Sequence, residues 1–209
     1  MTQLARATVL LAVAGIITLF SGCNSSEQDD NQRQAAEACH ERLYLSPNDS
    51  KYVLPFAIGM SYSTGLVNCS GSFHGVGKPD QFAFDFDLPP NEPFFAARAG
   101  RVIAVVEDQP SSGGGAGNYV LIDHGDDTFA YYLHSPYNGI DVEYGDQVEQ
   151  GQLLGSTGRS GLAGYHHLHF IVVTGAPEYP YTGLPISFKN AVPNDKVLKA
   201  YSLYSAENY

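Results

Sequence analysis

The segment NYVLIDHGDDTFAYYLH, residues 118–134, constrains the fold more than any other part of the chain. Tyr119–Asp123 and Thr128–His134 are rich in β-branched and aromatic residues, and the turn-forming residues 124–127 separate them. Two such runs joined by a short turn favour a β-hairpin, in which side chains alternate between two faces. The segment therefore predicts a pair of antiparallel strands.

Similar β-rich runs separated by turn signals occur along the rest of the chain. They lie at residues 82–88, 100–108, 142–158 and 167–173, and no helical period is sustained before the C-terminal segment. This pattern predicts an all-β fold of antiparallel β-sheets with hairpins. The last residues, from Asn194, are compatible with an outer helix or with a loose tail.

The N-terminus has the features of an export signal. An apolar run from Ala7 to Phe20 follows Arg6, and it is shorter than the roughly 20 residues that a membrane span needs. It ends in Phe20-Ser21-Gly22-Cys23, which resembles the bacterial lipobox. We therefore predict that residues 1–22 are a lipoprotein signal peptide and that Cys23 is lipidated. The alternative is an ordinary cleaved signal with an incidental cysteine.

The remaining chain divides by composition into three parts. Residues 23–42 are polar and acidic and predict a flexible tether, residues 43–188 predict the folded domain, and residues 189–209 form a C-terminal extension. Cys39 and Cys69 are the two cysteines left after lipidation, and an exported protein meets an oxidising compartment. They are predicted to form one disulfide, the alternative being two free thiols.

The charge of the chain limits its partners. It carries 22 acidic and 11 basic residues, a net charge of −11 with histidine neutral. Phosphate binding draws on clustered Lys and Arg, so this balance argues against nucleic acid as a partner. It equally argues against electrostatic attachment to anionic polymers, and any polymer must be held by a shaped groove.

A cluster of histidines marks the candidate site. In GYHHLHF, residues 164–170, strand alternation places His167 and His169 on one face and His166 on the other. In FAFDFDL, Asp85 and Asp87 share a face opposite two phenylalanines. A carboxylate beside a buried strand is costly unless a cation or hydrogen bonds compensate, and a metal would do so.

Two further histidines can join this cluster. His134 shares a face with Tyr132 and would look toward His167 and His169 if the two strands lie in one sheet, while His74 lies in a glycine-rich loop upstream of Asp85. Each residue also has a plain structural interpretation, as a loop residue, a solvated strand face or a strand end. Their joint occurrence with the HxH pattern favours a functional site.

These residues carry a resemblance to the lysostaphin-type zinc metallopeptidases, which cut peptidoglycan peptides. The similar motifs, in order, are SFH (72–74), FAFDFDLP (82–89), FFAARAGRVIAV (94–105), GNYVLIDHGDDTFAYYLH (117–134), GDQVEQGQLLGSTGRSG (145–161) and HLHF (167–170). The resemblance implies the family's peptidase domain, a duplicated hybrid motif. It also implies a Zn²⁺ ligated by His74, Asp85 and His169, with His167 and His134 as the catalytic pair. The AxDF pattern favours Asp85 over Asp87 as the ligand.

The chemistry suits these residue types. Two imidazoles and one carboxylate leave a fourth tetrahedral position open, as in catalytic zinc sites. The chain has no HExxH motif, so a helical glutamate is not the general base and His134 and His167 take that part. Tyr132 and Asn118 either line the substrate groove or have a structural role.

The resemblance leaves two functions in competition. One is a membrane-anchored zinc endopeptidase of the cell wall, and the other is a non-catalytic module of the same fold that binds peptidoglycan or activates a hydrolase. Retention of all five site residues favours the enzyme. A third interpretation, a lipoyl-type carrier domain, fails because residues 142–158 lack the lysine that such a carrier needs at its hairpin tip. Asn24 after Cys23 favours the outer membrane facing the periplasm, and a regulatory protein partner is left open.

Overall fold

The computed structural model describes residues 33–34, 37–110 and 114–209. The signal segment, Cys23 and most of the tether lie outside these residues, so the predictions about them stay predictions. In the described part of the chain, no helix is long and apolar enough to cross a membrane. The described residues contain two 3₁₀ helices, Glu41–Leu43 and Pro47–Asp49, and twelve strands: β1 Ser61–Ser63, β2 Phe84–Phe86, β3 Pro93–Phe95, β4 Gly100–Val106, β5 Asn118–Asp123, β6 Thr128–Ser135, β7 Gln147–Val148, β8 Leu153–Ser156, β9 Leu168–Thr174, β10 Thr182–Gly183, β11 Ala191–Val192 and β12 Leu203–Ala206.

The largest sheet has the strand order β10-β9-β6-β5-β4-β7, and β2 also pairs with β9. All of its pairings are antiparallel. The hairpin predicted from residues 118–134 forms its centre as β5 and β6, with Ile122 opposite Ala130. Strands β3 and β8 form a second, two-stranded sheet. The predicted all-β, antiparallel fold is confirmed.

The register of three strands separates the core from the site. Phe84 of β2 and Tyr132 of β6 both lie opposite Phe170 of β9, and all three are fully buried in the main core. Asp85 lies opposite His169, one residue out of phase with these aromatic pairs. A one-residue slip would turn Asp85 and His169 into the aromatic core and move the rings out of it, so core packing fixes this register.

The C-terminal segment is neither a helix nor a loose tail. Strand β12 pairs with β1 on one side and with β11 on the other. Tyr204, Leu198 and Ala206 are buried in the main core, and the Tyr204 hydroxyl donates to Asp195 at 2.7 Å. Residues beyond 189 therefore complete the core, although the domain boundaries themselves stay predictions.

Cys39 and Cys69 are joined by a disulfide, as predicted. The bond closes a loop with a sequence separation of 30 residues. It ties the start of the described chain to the loop that carries His74.

Loss of this disulfide is expected to destabilise the protein. Closing a loop of this length removes chain entropy from the unfolded state, so Cys69→Ser should lower the free energy of unfolding by roughly 3–4 kcal/mol. Urea unfolding of the parent and the variant, each with and without reductant, measures this. Coincident curves for the oxidised parent and the variant would contradict it.

Candidate metal and catalytic site

The Asp85 carboxylate lies at the centre of a group of imidazoles. Its Oδ1 atom is 2.8 Å from His169 Nδ1, 3.4 Å from His74 Nε2 and 3.6 Å from His167 Nε2. His134 completes the group, with its ring centroid 4.7 Å from that of His167. The structure thus brings together all five residues that the sequence singled out, and each of them is buried.

Each position follows from its local structure. Asp85 and His169 are cross-strand partners on β2 and β9, and His167 directly precedes β9. His74 comes from the irregular loop between β1 and β2, is 1% exposed, and packs edge-on against His169 with ring centroids 5.2 Å apart. His166 precedes β9 and is exposed, and it does not belong to the cluster.

His134 reaches the site for a different reason from the one predicted. Tyr132 faces the core, where its ring stacks on Phe94 and its hydroxyl accepts from the Ala97 amide, so a regular strand would also turn His134 into the core. The backbone at His134 instead has a φ of 77°, a left-handed conformation that is uncommon for a residue with a side chain. This local departure directs the ring toward His167, and such strain is typical of functional sites.

Both His134 and His167 are oriented by backbone carbonyl groups. His134 Nδ1 lies 2.8 Å from the Ser160 carbonyl oxygen, and His167 Nδ1 lies 3.0 Å from that of Tyr165. A carbonyl oxygen can only accept, so Nδ1 carries the proton in each ring and Nε2 keeps a free lone pair. The two rings therefore have the tautomer that a general base needs.

The residues behind His134 hold this arrangement in place. A Cβ at Gly158 would lie 2.7 Å from the His134 carbonyl oxygen, so only glycine lets the 157–161 segment pass this closely. Asn118 is fully buried, and its side chain donates to the Ser135 and Gln109 carbonyl groups. Asn118 and Tyr132 are accordingly structural and do not line a groove.

The pKa values of His134 and His167 are shifted in the opposite direction from that of His169. Burial, assisted by His169 and His167, lowers the pKa of His134 to about 3, and burial also lowers the pKa of His167. Burial alone would lower the pKa of His169, but the carboxylates of Asp80 and Asp85 outweigh it and raise that pKa to about 9. His134 and His167 are thus neutral, whereas His169 lies between carboxylates that favour a cation.

Asp80 is a residue of this pocket that the sequence did not indicate. Its Oδ1 atom is 3.5 Å from His169 Nε2 and accepts a hydrogen bond from the Tyr181 hydroxyl. Metal-bound histidines commonly place their second ring nitrogen against a carboxylate, which fixes the ring orientation. Asp80 lies in a loop without periodicity, so only its proximity to His74 in sequence could have signalled it.

The donor set fits a divalent metal ion. Among the residues that the structure describes, two groups have ligand atoms that all lie within 4.8 Å of one another, namely His74 with Asp85 and His169, and His134 with His167 and His169. Tetrahedral ligands at zinc distances are about 3.3 Å apart, close to the 3.4 Å between His74 Nε2 and Asp85 Oδ1. The first group includes the carboxylate and matches the predicted ligands, and Asp87 belongs to neither.

Known proteins resemble the central part of the chain. Residues 80–180, just under half of the chain, match the model of peptidase family M23. This segment is similar to an M23 peptidase domain. Over 94 residues, or 44% of the chain, the protein is 35% identical to the peptidoglycan DD-endopeptidase ShyA of Vibrio cholerae. The match covers 20% of ShyA, so the chain spans only a fifth of the length of this curated relative.

A solved M23 structure shares the fold. Pseudoalterin, an M23 metalloprotease from the deep sea, is 17% identical with a TM-score of 0.50, covering 68% of this chain and 80% of that chain. Lysostaphin from Staphylococcus simulans is 22% identical with a TM-score of 0.46, covering 58% of this chain and 47% of that chain. At 17% sequence identity, the likeness to pseudoalterin establishes the fold alone.

Proposed function

We propose that this protein is a zinc-dependent metalloendopeptidase that cleaves peptide bonds in peptidoglycan during cell-wall remodelling. The observation that carries the proposal is the Asp85 carboxylate, which has two potential ligand imidazoles and a neutral, carbonyl-oriented imidazole pair around it. ShyA, which matches part of the chain, is named as a peptidoglycan endopeptidase, and this supports the substrate class. The test is whether the zinc-loaded protein releases new amino termini from peptidoglycan.

His74, Asp85 and His169 would hold the metal. Asp85 would supply the negative charge, and the Asp80 carboxylate behind His169 would add to it. Burial of an unpaired anion costs free energy, so a bound cation would also account for the buried Asp85 carboxylate on β2. When bound, zinc activates water for attack and polarises the scissile carbonyl group.

His134 and His167 would move the protons. Each has Nε2 free, so each can accept a proton from the attacking water and return it to the leaving amine. Their neutral state at neutral pH follows from the lowered pKa values. The protonated form of either ring can also donate to the oxyanion that develops on the carbonyl group.

Metal content distinguishes the proposed ligands from their neighbour. The parent protein is expected to hold about one zinc per chain, and His169→Ala should abolish this because it removes one of three protein ligands. His166→Ala is the matched control, since His166 is exposed and lies three residues away. Elemental analysis after gel filtration measures both. Zinc loss from His166→Ala with retention in His169→Ala would reverse the assignment.

The protein is further proposed to be a lipoprotein of the cell envelope, at the outer membrane facing the periplasm. Its partners would be the membrane, through the lipid on Cys23, and the stem or cross-bridge peptides of peptidoglycan. A regulatory protein partner is compatible with this location. The strongly acidic composition favours recognition by a shaped groove over attraction to anionic wall polymers.

Mass spectrometry of the mature N-terminus tests the anchor. The expected species begins at a diacylglyceryl Cys23, and Cys23→Ser should release the protein from membranes or leave it unprocessed, because stable anchoring takes two acyl chains. Fractionation of cells expressing each form gives the second measurement. An unmodified Cys23 within a mature chain cleaved elsewhere would contradict the prediction.

A further inference from the structure

Tyr165 covers the outer face of the His167 ring. The two rings are stacked, with centroids 4.5 Å apart and an angle of 27° between their planes. His167 also packs edge-on against the His134 ring, with centroids 4.7 Å apart. Tyr165 is 43% exposed, whereas His167 is 5% exposed, so the tyrosine separates the imidazole from solvent.

The hydroxyl group of Tyr165 packs against Gly65, which is distant in sequence. It lies beside the Asp87 carboxylate, since both groups border Gly65, and burial together with Asp85 and Asp87 raises the pKa of Tyr165, so the phenol stays protonated. A Cβ built at Gly65 would lie 2.1 Å from this oxygen. Any other residue at position 65 would therefore displace the hydroxyl. The missing side chain of Gly65 forms the notch that receives it.

This anchor fixes both contacts that Tyr165 makes with His167. The ring stack sets the plane of the imidazole, and the Tyr165 carbonyl oxygen accepts from His167 Nδ1 at 3.0 Å. Residues 164–166 are themselves exposed, and nothing lies within 4 Å of a Cβ built at Gly164. The tyrosine side chain thus links this exposed loop to Gly65 and to Asp87, the residue that directly follows β2.

We infer that Tyr165 is a positioning residue for His167, held in place by the Gly65 notch and Asp87. It keeps the Nδ1–H tautomer and directs Nε2 toward Asp85, from which Nε2 is 3.6 Å away. The kinetic part of this inference rests on the proposed peptidase function. The structural part does not, because the orientation of His167 can be observed without turnover.

The kinetic test compares substitutions at Tyr165 in the full chain. Tyr165→Ala is expected to lower kcat about 10–100-fold with zinc affinity unchanged and KM within about 3-fold, as for loss of an orienting contact. Tyr165→Phe keeps the ring and should retain kcat within about 5-fold of the parent. Tyr144→Ala, at a tyrosine that is 73% exposed, is the control and should match the parent. Equal kcat in Tyr165→Ala and the control would overturn the inference.

A double-mutant cycle tests the notch itself. Gly65→Ala should lower kcat by displacing the Tyr165 hydroxyl, and it should cause no further loss when combined with Tyr165→Phe, which removes the clashing atom. A fully additive loss would mean that Gly65 acts independently of Tyr165, which would overturn the role of the notch.

Nuclear magnetic resonance gives a readout that needs no activity. The His167 Nδ1–H proton should be detectable in the zinc-free parent and in Tyr165→Phe because its hydrogen bond slows exchange with water. In Tyr165→Ala the signal should be lost. Persistence of an unchanged signal in Tyr165→Ala would overturn the inference even if the parent hydrolysed nothing. Its loss would support the inference in that same case, while the proposed peptidase function alone failed.

Discussion

Replacing either His134 or His167 with alanine is expected to lower kcat for peptide hydrolysis about 10²–10⁴-fold, the usual contribution of general acid–base catalysis. The two rings pack against each other and carry free Nε2 atoms, while their Nδ1 atoms are held by carbonyl groups. Neither residue belongs to the proposed ligand set of His74, Asp85 and His169. Each variant should therefore keep about one zinc per chain.

The comparison needs metal content and kinetics measured on the same samples. His166→Ala serves as the control because it removes an exposed imidazole next to His167 without touching the cluster. Circular dichroism should show that the variants keep the β fold. Unchanged kcat in both His134→Ala and His167→Ala would contradict the assignment of the proton-transfer pair, and loss of zinc from either would move that residue into the ligand set.

The sequence predicted the parts of the site that obey strand alternation. Asp85, His167 and His169 share a face because Phe84 and Phe170 must occupy the core, and a slip by one residue would cost that burial. The hairpin of β5 and β6 was predictable because its turn residues interrupt two apolar runs. Local rules were sufficient where the pattern and the core agree.

Sequence reasoning failed where the chain departs from regular structure. Strand alternation does not predict the positive φ of His134, so the expectation that His134 and Tyr132 share a face was wrong, although His134 lies beside His167. Asp80 and Tyr165 meet their histidines through loops, whose paths depend on tertiary contacts. The strand at Leu203–Ala206 forms because β1 offers an edge to pair with, which its own sequence does not reveal.

Hydrolysis of peptidoglycan is the second large effect that we expect. The full chain in detergent, loaded with zinc, should release new amino termini from purified peptidoglycan, and a chelator should reduce this to the background rate. Readdition of zinc should restore it, because the ligand residues remain in place. The full chain is used because Leu198, Tyr204 and Ala206 of the C-terminal segment are buried in the core.

The most direct measurement is mass spectrometry of the products released from purified peptidoglycan by the zinc-loaded protein, with His167→Ala in parallel. We expect peptide fragments in which a single type of amide bond has been hydrolysed, with the gain of one water. The parent protein should release these fragments, and the variant should release far fewer. Tight binding of peptidoglycan by both proteins, with no fragment and no new amine from either, would contradict the proposed peptidase function. That result would identify the protein as a non-catalytic peptidoglycan-binding module.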